Sequence, residues 1–233
     1  MSEFRELKER AYRSNMRINE LGLVLATFGN VSSVDRKKEV FAIKPSGVPY
    51  DELQPGDMVI VDFESHVVEG DLRPSSDTKT HAVLYKEWEK IGGIVHTHST
   101  YATAWAQAQK DIPILGTTHA DHLTMDIPCA PPMSDEMIRG NYEYQTGIQI
   151  LDEFRHREIS YEEVEMILVG CHAPFTWGKT AEKAVTNSLV LEELAKMAFL
   201  SLQIAPGTSG LKDSLIKKHY ERKHGKDSYY GQD

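Results

Sequence analysis

The sequence predicts an α/β fold with one mixed or antiparallel sheet flanked by helices. Two observations carry this. Short apolar runs crowd the first part of the chain, at 31–34, 40–43 and 58–62, with turns and no helix between them. Helix-patterned stretches open the chain and dominate its second half. A doubly wound parallel sheet would need helices between those early strands.

Each element has its own signal. Phe4, Leu7, Ala11 and Ile18 recur at near-helical spacing, so 3–20 is an amphipathic helix that Gly22 ends. Strands are expected at 23–27, 31–34, Val40–Ile43 and 58–62, separated by Gly-Asn, by the charged turn 35–39 and by Pro-Ser-Gly. Val67–Glu69 is a further short one. A helix over 77–90 follows Ser75, Ser76 and Asp77, all good capping residues. Residues 93–98 read as a strand, and 100–109 as a helix packed through Ala102, Ala104, Trp105 and Ala108. Residues 136–158 are mostly helical, 165–171 are a buried strand, and a turn leads to 175–177. A long helix over 181–203 and a shorter one over 211–224 precede the tail. No repeat or linker divides the chain, so residues 1–233 form one domain.

Bulk properties bound the function. A chain of 233 residues buries roughly 70% of its unfolded surface and needs no disulfide or metal to fold. The net charge of −9 argues against nucleic acid and anionic membranes as partners, but leaves room for a phosphorylated metabolite held by a local cluster of donors. Cys129 and Cys171 are too few for a disulfide framework. The opening MSEFRELKER lacks an apolar signal core, and no apolar stretch approaches the roughly 20 residues of a membrane span. A cytoplasmic protein is expected.

The chemistry centres on His96-Thr97-His98, at the end of the apolar run 91–95. Side chains two apart on a strand share a face, so two imidazoles converge on one point. His172 ends a second apolar strand in the same way, and Asp77 is a candidate fourth ligand. Three histidines and a carboxylate suit zinc, with manganese, cobalt or iron as substitutes. The remaining histidines (His66, His81, His119, His122, His156, His219 and His224) have no comparable spacing and are expected on the surface or on helix faces. Three small polar turns offer an anion site: Gly29-Asn30-Val31-Ser32, Lys44-Pro45-Ser46-Gly47 and Pro74-Ser75-Ser76-Asp77. The third opens a helix, whose N-terminus attracts anions, and Lys44 adds positive charge. Singly, each is an ordinary turn, and none is a P-loop or dinucleotide fingerprint.

Taken in order, those three turns, Ile94-Val95-His96-Thr97-His98-Ser99, Gly116-Thr117-Thr118-His119-Ala120-Asp121 and the terminal Tyr229-Tyr230-Gly231-Gln232 resemble the L-ribulose-5-phosphate 4-epimerase family. That family belongs to the class II aldolase/epimerase superfamily. The resemblance spans nearly the whole chain. It implies a three-layer α/β/α fold around a mostly antiparallel sheet, and a cyclic homotetramer with active sites between subunits. It implies zinc held by Asp77, His96, His98 and His172. Gly29, Asn30, Lys44, Ser46, Gly47, Ser75 and Ser76 would line the sugar-phosphate pocket. Asp121 and Tyr230 would be the catalytic acid/base pair, Tyr230 reaching in from the adjacent subunit, with His219 near that site. The sequence departs from the family at Gly170-Cys171-His172-Ala173, where a serine and histidine precede the ligand histidine and a glycine follows it. Cys171 thus bears on hydrogen bonding around the metal.

The implied reaction is a C4 epimerisation of L-ribulose 5-phosphate to D-xylulose 5-phosphate by retro-aldol cleavage, aldehyde rotation and re-addition. The nearest alternative is a class II aldolase that releases its fragments. Related aldolases carry a glutamate base where this chain has Asp77, and the shorter side chain favours ligation and epimerisation. A non-catalytic zinc-stabilised sugar-phosphate binder would need neither Asp121 nor Tyr230. A Schiff-base aldolase would need Lys44 with a depressed pKa, whereas a lysine in a phosphate-binding turn should remain charged. The sequence leaves the supplying route open between L-arabinose, L-ascorbate and other pentose catabolism.

Overall fold

The computed structural model describes residues 2–225 and Ser228. Four consecutive strands, β1 (Asn30–Asp35), β2 (Val40–Ile43), β3 (Val59–Asp62) and β4 (Val67–Glu69), form an antiparallel meander. β5 (Gly93–His96) pairs antiparallel with the other side of β1. β8 (Pro174–Gly178), β7 (Met166–Val169) and β6 (Cys129–Ala130) continue the sheet, which has eight strands in the order β4-β3-β2-β1-β5-β8-β7-β6. Only β6 and β7 run parallel. The mixed, mostly antiparallel sheet is the expected one.

Strand alternation builds two apolar faces. Val40, Ala42 and Ile60 pack with Leu7 and Ala11 of α1 (Arg5–Glu20). Val31 and Val95 pack on the same face with Ala181 and Val185 of α7 (Ala181–Ile204). Phe41, Ile43, Val59 and Val61 turn the other way, toward Leu84 and Tyr85 of α2 (Thr78–Glu87), against which α6 (Tyr142–His156) packs. These are the three expected layers. α3 (Thr100–Gln107) lies against α7, and α8 (Asp213–His224) against the short α4 (Thr117–Ala120). Gly93 lets α7 close onto β5: a Cβ there would lie 2.3 Å from the Ala181 Cα.

Several elements differ from the sequence reading. Residues 23–27 form no strand. Their apolar run is a loop in which Ala26 has φ +52° and Leu25 is exposed, so no ladder can form. It follows a closed helix end, where the Leu23 N–H bonds the Ile18 carbonyl and the Gly22 N–H that of Asn19. The 136–158 helix is two, α5 (Asp135–Arg139) and α6, broken at Gly140-Asn141. β5 stops at His96, two residues short. The two-residue β6 and the one-turn α4 carried no periodic signal.

Candidate active site

His96 is the last residue of β5 and His172 lies in the tight turn between β7 and β8. β5 and β8 are paired, so both imidazoles reach one place. His98 lies past the strand, in the link to α3, and not on the strand face that the sequence suggested. The convergence survives because α3 is anchored: the Glu192 carboxylate accepts the N–H groups of Tyr101 (2.8 Å) and Ala102 (2.9 Å). The Nε2 atoms of His96 and His98 are 3.1 Å apart, and the three histidines each place a ligand atom within 4.8 Å of the others.

This set suits a divalent cation. The His96 Nδ1–H donates to the Pro174 carbonyl at 3.0 Å, which leaves Nε2 with its lone pair toward the cluster. Burial first, then the neighbouring His98, pushes His96 down to about 3. Burial with His96 and His98 does the same to His172, also to about 3, and burial lowers His98. All three are therefore neutral ligands at neutral pH. Among the described residues, the buried Nδ1 of His172 has no hydrogen-bond partner. Asp77, just before α2, faces the same cavity, and its charge acts on both His98 and His172. Its Oδ2 accepts from Asn30 Nδ2 at 2.7 Å.

The three polar turns meet beside the histidines. Asn30 pairs with His96 across β1 and β5, and its Nδ2 also reaches Ser75 Oγ at 3.1 Å. The Ser46 N–H bonds the Arg73 carbonyl and the Ser75 N–H bonds that of Lys44, so two turns far apart in sequence become one wall. Lys44 is buried, and its ammonium donates to the carbonyls of Val48 (2.6 Å) and Pro45 (3.4 Å). Burial lowers its pKa to about 8, so it still carries its proton at neutral pH. Gly29, Asn30, Lys44, Ser46, Gly47, Ser75, Ser76, Asp77, His96, His98 and His172 all line one cavity of about 340 Å³. Such a wall of hydroxyls and one ammonium beside neutral imidazoles suits an anionic ligand with oxygens to spare for a metal.

Comparison with known proteins agrees with this geometry. The model of the family described as Class II Aldolase and Adducin N-terminal domain matches residues 9–199. The chain belongs to this class II aldolase family. Proteins named L-ribulose-5-phosphate 4-epimerase UlaF from Salmonella paratyphi A and from Salmonella typhi are each 48% identical to it, over 97% of this chain and 99% of theirs. A solved L-fuculose 1-phosphate aldolase superposes with a TM-score of 0.77 at 24% identity, covering 95% of this chain and 97% of its own, a likeness of fold.

Within this class II aldolase fold, Asp121 stands apart: it is not among the residues lining the cavity of its own chain. It follows α4 and is clamped by α8, accepting from His219 Nδ1 (2.9 Å) and from Arg222 Nη2 (2.7 Å). Burial raises its pKa, but the bonds from Arg222 and His219 and the charge of Lys223 outweigh it and hold the carboxyl at about 2. Tyr230 lies outside the described residues. Thr27, Phe28, Tyr142 and Glu143 also line the cavity and had not been singled out. Tyr142 and Glu143 start α6, and the break before it at Gly140-Asn141 was the available signal. Two of the histidines expected on the surface or helix faces are buried. His81 packs under the sheet, with Nδ1 2.7 Å from Ser32 Oγ, because small Ser32 leaves room for the ring. His119 is covered where α4 tucks under the chain.

Proposed function

We propose that the protein is an isomerase that inverts C4 of L-ribulose 5-phosphate to give D-xylulose 5-phosphate. The observation that carries this is the meeting of an anion wall and a neutral three-histidine cluster in one cavity. The near-full-length identity to proteins named as this epimerase selects the substrate. Zinc is the expected ion, with His96, His98, His172 and Asp77 as its ligands and manganese or cobalt as substitutes.

The difficulty of the reaction dictates the site. C4 is not adjacent to the C2 carbonyl, so its C–H is not acidic and deprotonation cannot invert it. Breaking the C3–C4 bond can. The C4 hydroxyl gives up its proton, the C3–C4 electron pair passes to the dihydroxyacetone half as an enediolate, and glycolaldehyde phosphate is left. A divalent ion held by His96, His98, His172 and Asp77 would supply Lewis acidity beside the sugar's oxygens when bound. The aldehyde turns over, the enediolate attacks its other face, and the new C4 oxygen takes a proton. Lys44, Ser46, Gly47, Ser75 and Ser76 hold the phosphate while the aldehyde turns, so the fragment does not escape. Asn30 orients Asp77 through its Nδ2 bond.

Each face of the aldehyde needs its own proton carrier. We assign these roles to Asp121 and Tyr230, arriving from different directions. Asp121 is held as a carboxylate by its bonds from Arg222 and His219. The position of Asp121 away from its own chain's cavity supports a homotetramer whose sites lie between subunits, with Tyr230 entering from a neighbour. Sugar-phosphate chemistry fits a cytoplasmic location, and no helix among the described residues is long and apolar enough to cross a membrane.

The test is direct. Metal-loaded protein incubated with L-ribulose 5-phosphate is expected to yield D-xylulose 5-phosphate. Accumulation of free dihydroxyacetone and glycolaldehyde phosphate instead would identify an aldolase, and no turnover of this ester would refute the assignment.

A further inference from the structure

Tyr50 touches two of the anion-binding turns at once. It is buried, and its hydroxyl donates to the Gly29 carbonyl at 2.9 Å, with the Phe28 carbonyl at 3.3 Å. Its ring lies under Lys44, whose Nζ is 4.8 Å from the ring centroid. Burial raises the phenol pKa, so it stays a neutral donor at every working pH. The Lys44 ammonium otherwise rests on carbonyls of its own loop. Gly29 has no slack beside it: φ is +83°, and a Cβ there would lie 2.8 Å from Val24 Cγ1 and 3.1 Å from the His96 carbonyl. The turn is thus wedged between the β5 end, which carries His96, and the Tyr50 hydroxyl.

We propose that Tyr50 is a positioning residue that locks the Gly29-Asn30 turn to Lys44, setting affinity for the phosphate group without touching the reacting carbons. Two parts of one side chain do separable work. The hydroxyl fixes the turn, and the face of the ring stabilises the ammonium, which among the described residues has no carboxylate at Nζ and can turn to an anion. Neither contact is made to a histidine of the cluster, and Asp77 is reached only through Asn30. The inference rests on the reading of this cavity as a sugar-phosphate site.

Two variants separate hydroxyl from ring. Tyr50→Phe is expected to raise KM for L-ribulose 5-phosphate about tenfold, the scale of one lost hydrogen bond, with kcat within about twofold. Tyr50→Leu is expected to raise it about a hundredfold. Inorganic phosphate, titrated into each protein by calorimetry, should weaken in the same order, while bound zinc stays equimolar. A merely structural role would lower the melting temperature without splitting KM from kcat. Unchanged KM and phosphate affinity in Tyr50→Phe would overturn the proposal, as would a fall in kcat with phosphate affinity intact. If Tyr50→Leu does not fold, Tyr50→Phe decides alone. Wild-type protein that ignores L-ribulose 5-phosphate yet binds inorganic phosphate in a Tyr50-dependent way would sink the substrate assignment and leave the role of Tyr50 standing.

Discussion

At the scale of single residues the site divides into ligands and anchors, and each kind fails differently. His96→Asn or His98→Asn removes a neutral imidazole from a cluster whose ligand atoms lie within 4.8 Å. Activity should fall by orders of magnitude and bound zinc should be lost, while the circular dichroism of the large core survives. Either variant with equimolar zinc and full activity would rule out this centre. Lys44→Met should mainly raise KM, and unphosphorylated L-ribulose should be a poor substrate of the wild type, since remote binding energy holds the turning fragment. Lys44 also sets a pH limit. Its amine is protonated below about 8 and neutral above, so kcat/KM should fall as pH rises through 8. Lys44→Met should lack that limb, and an unaltered limb would point to another group. These residues were legible because turns and ligands are written in local residue types. The convergence of His96, His98 and His172 could be read from two strand-end apolar runs, whereas Tyr142 and Glu143 reach the cavity through the docking of α6 on α2, of which the sequence shows only the break at Gly140-Asn141.

At the scale of elements, buried strands such as Val40–Ile43 kept their predicted bounds because a short continuous apolar run between turn signals marks a strand covered on both faces. The 23–27 run failed for the opposite reason: apolar content without ladder partners does not make a strand. α2 shows what tertiary context adds. It presents Asp77 at its start and buries His81 one turn later against Ser32. Burial pushes His81 down to about 3 despite the charge of Asp77, and burial takes His119 of α4 to about 4. The ordinary value for an exposed imidazole is about 6.5. Between those values the unfolded chain binds protons that the folded chain refuses, so stability rises with pH through this window and is lost on acidification. Urea midpoints of zinc-stripped protein should therefore drop from pH 7 toward pH 4. His81→Asn should flatten that slope by about one proton, or about 1.4 kcal/mol per pH unit. An identical slope in the variant would show that His81 titrates normally.

At the scale of the whole molecule, the acidic chain of net charge −9 gathers the positive Arg222 and Lys223 on α8, which with His219 surround Asp121. That arrangement holds a carboxylate and its histidine at the molecular surface, away from the cavity that needs a proton carrier. The proposed sharing of a site between subunits would resolve the mismatch, and it makes a prediction that no single chain can satisfy. Tyr230→Phe should lower kcat by roughly 10²–10⁴-fold, the usual worth of a positioned proton donor, with zinc content unchanged. Asp121→Asn should be comparably damaging, and Tyr229→Phe much less so. In a mixed ring of Tyr230→Phe and Asp121→Asn subunits, some sites join an intact Asp121 to an intact Tyr230 from a neighbour. Activity should then return once native mass spectrometry confirms that subunits have exchanged. Exchange without recovery would confine each site to one chain. A fully active Tyr230→Phe would remove the tail from the chemistry, leaving the histidine centre and the phosphate wall as they stand.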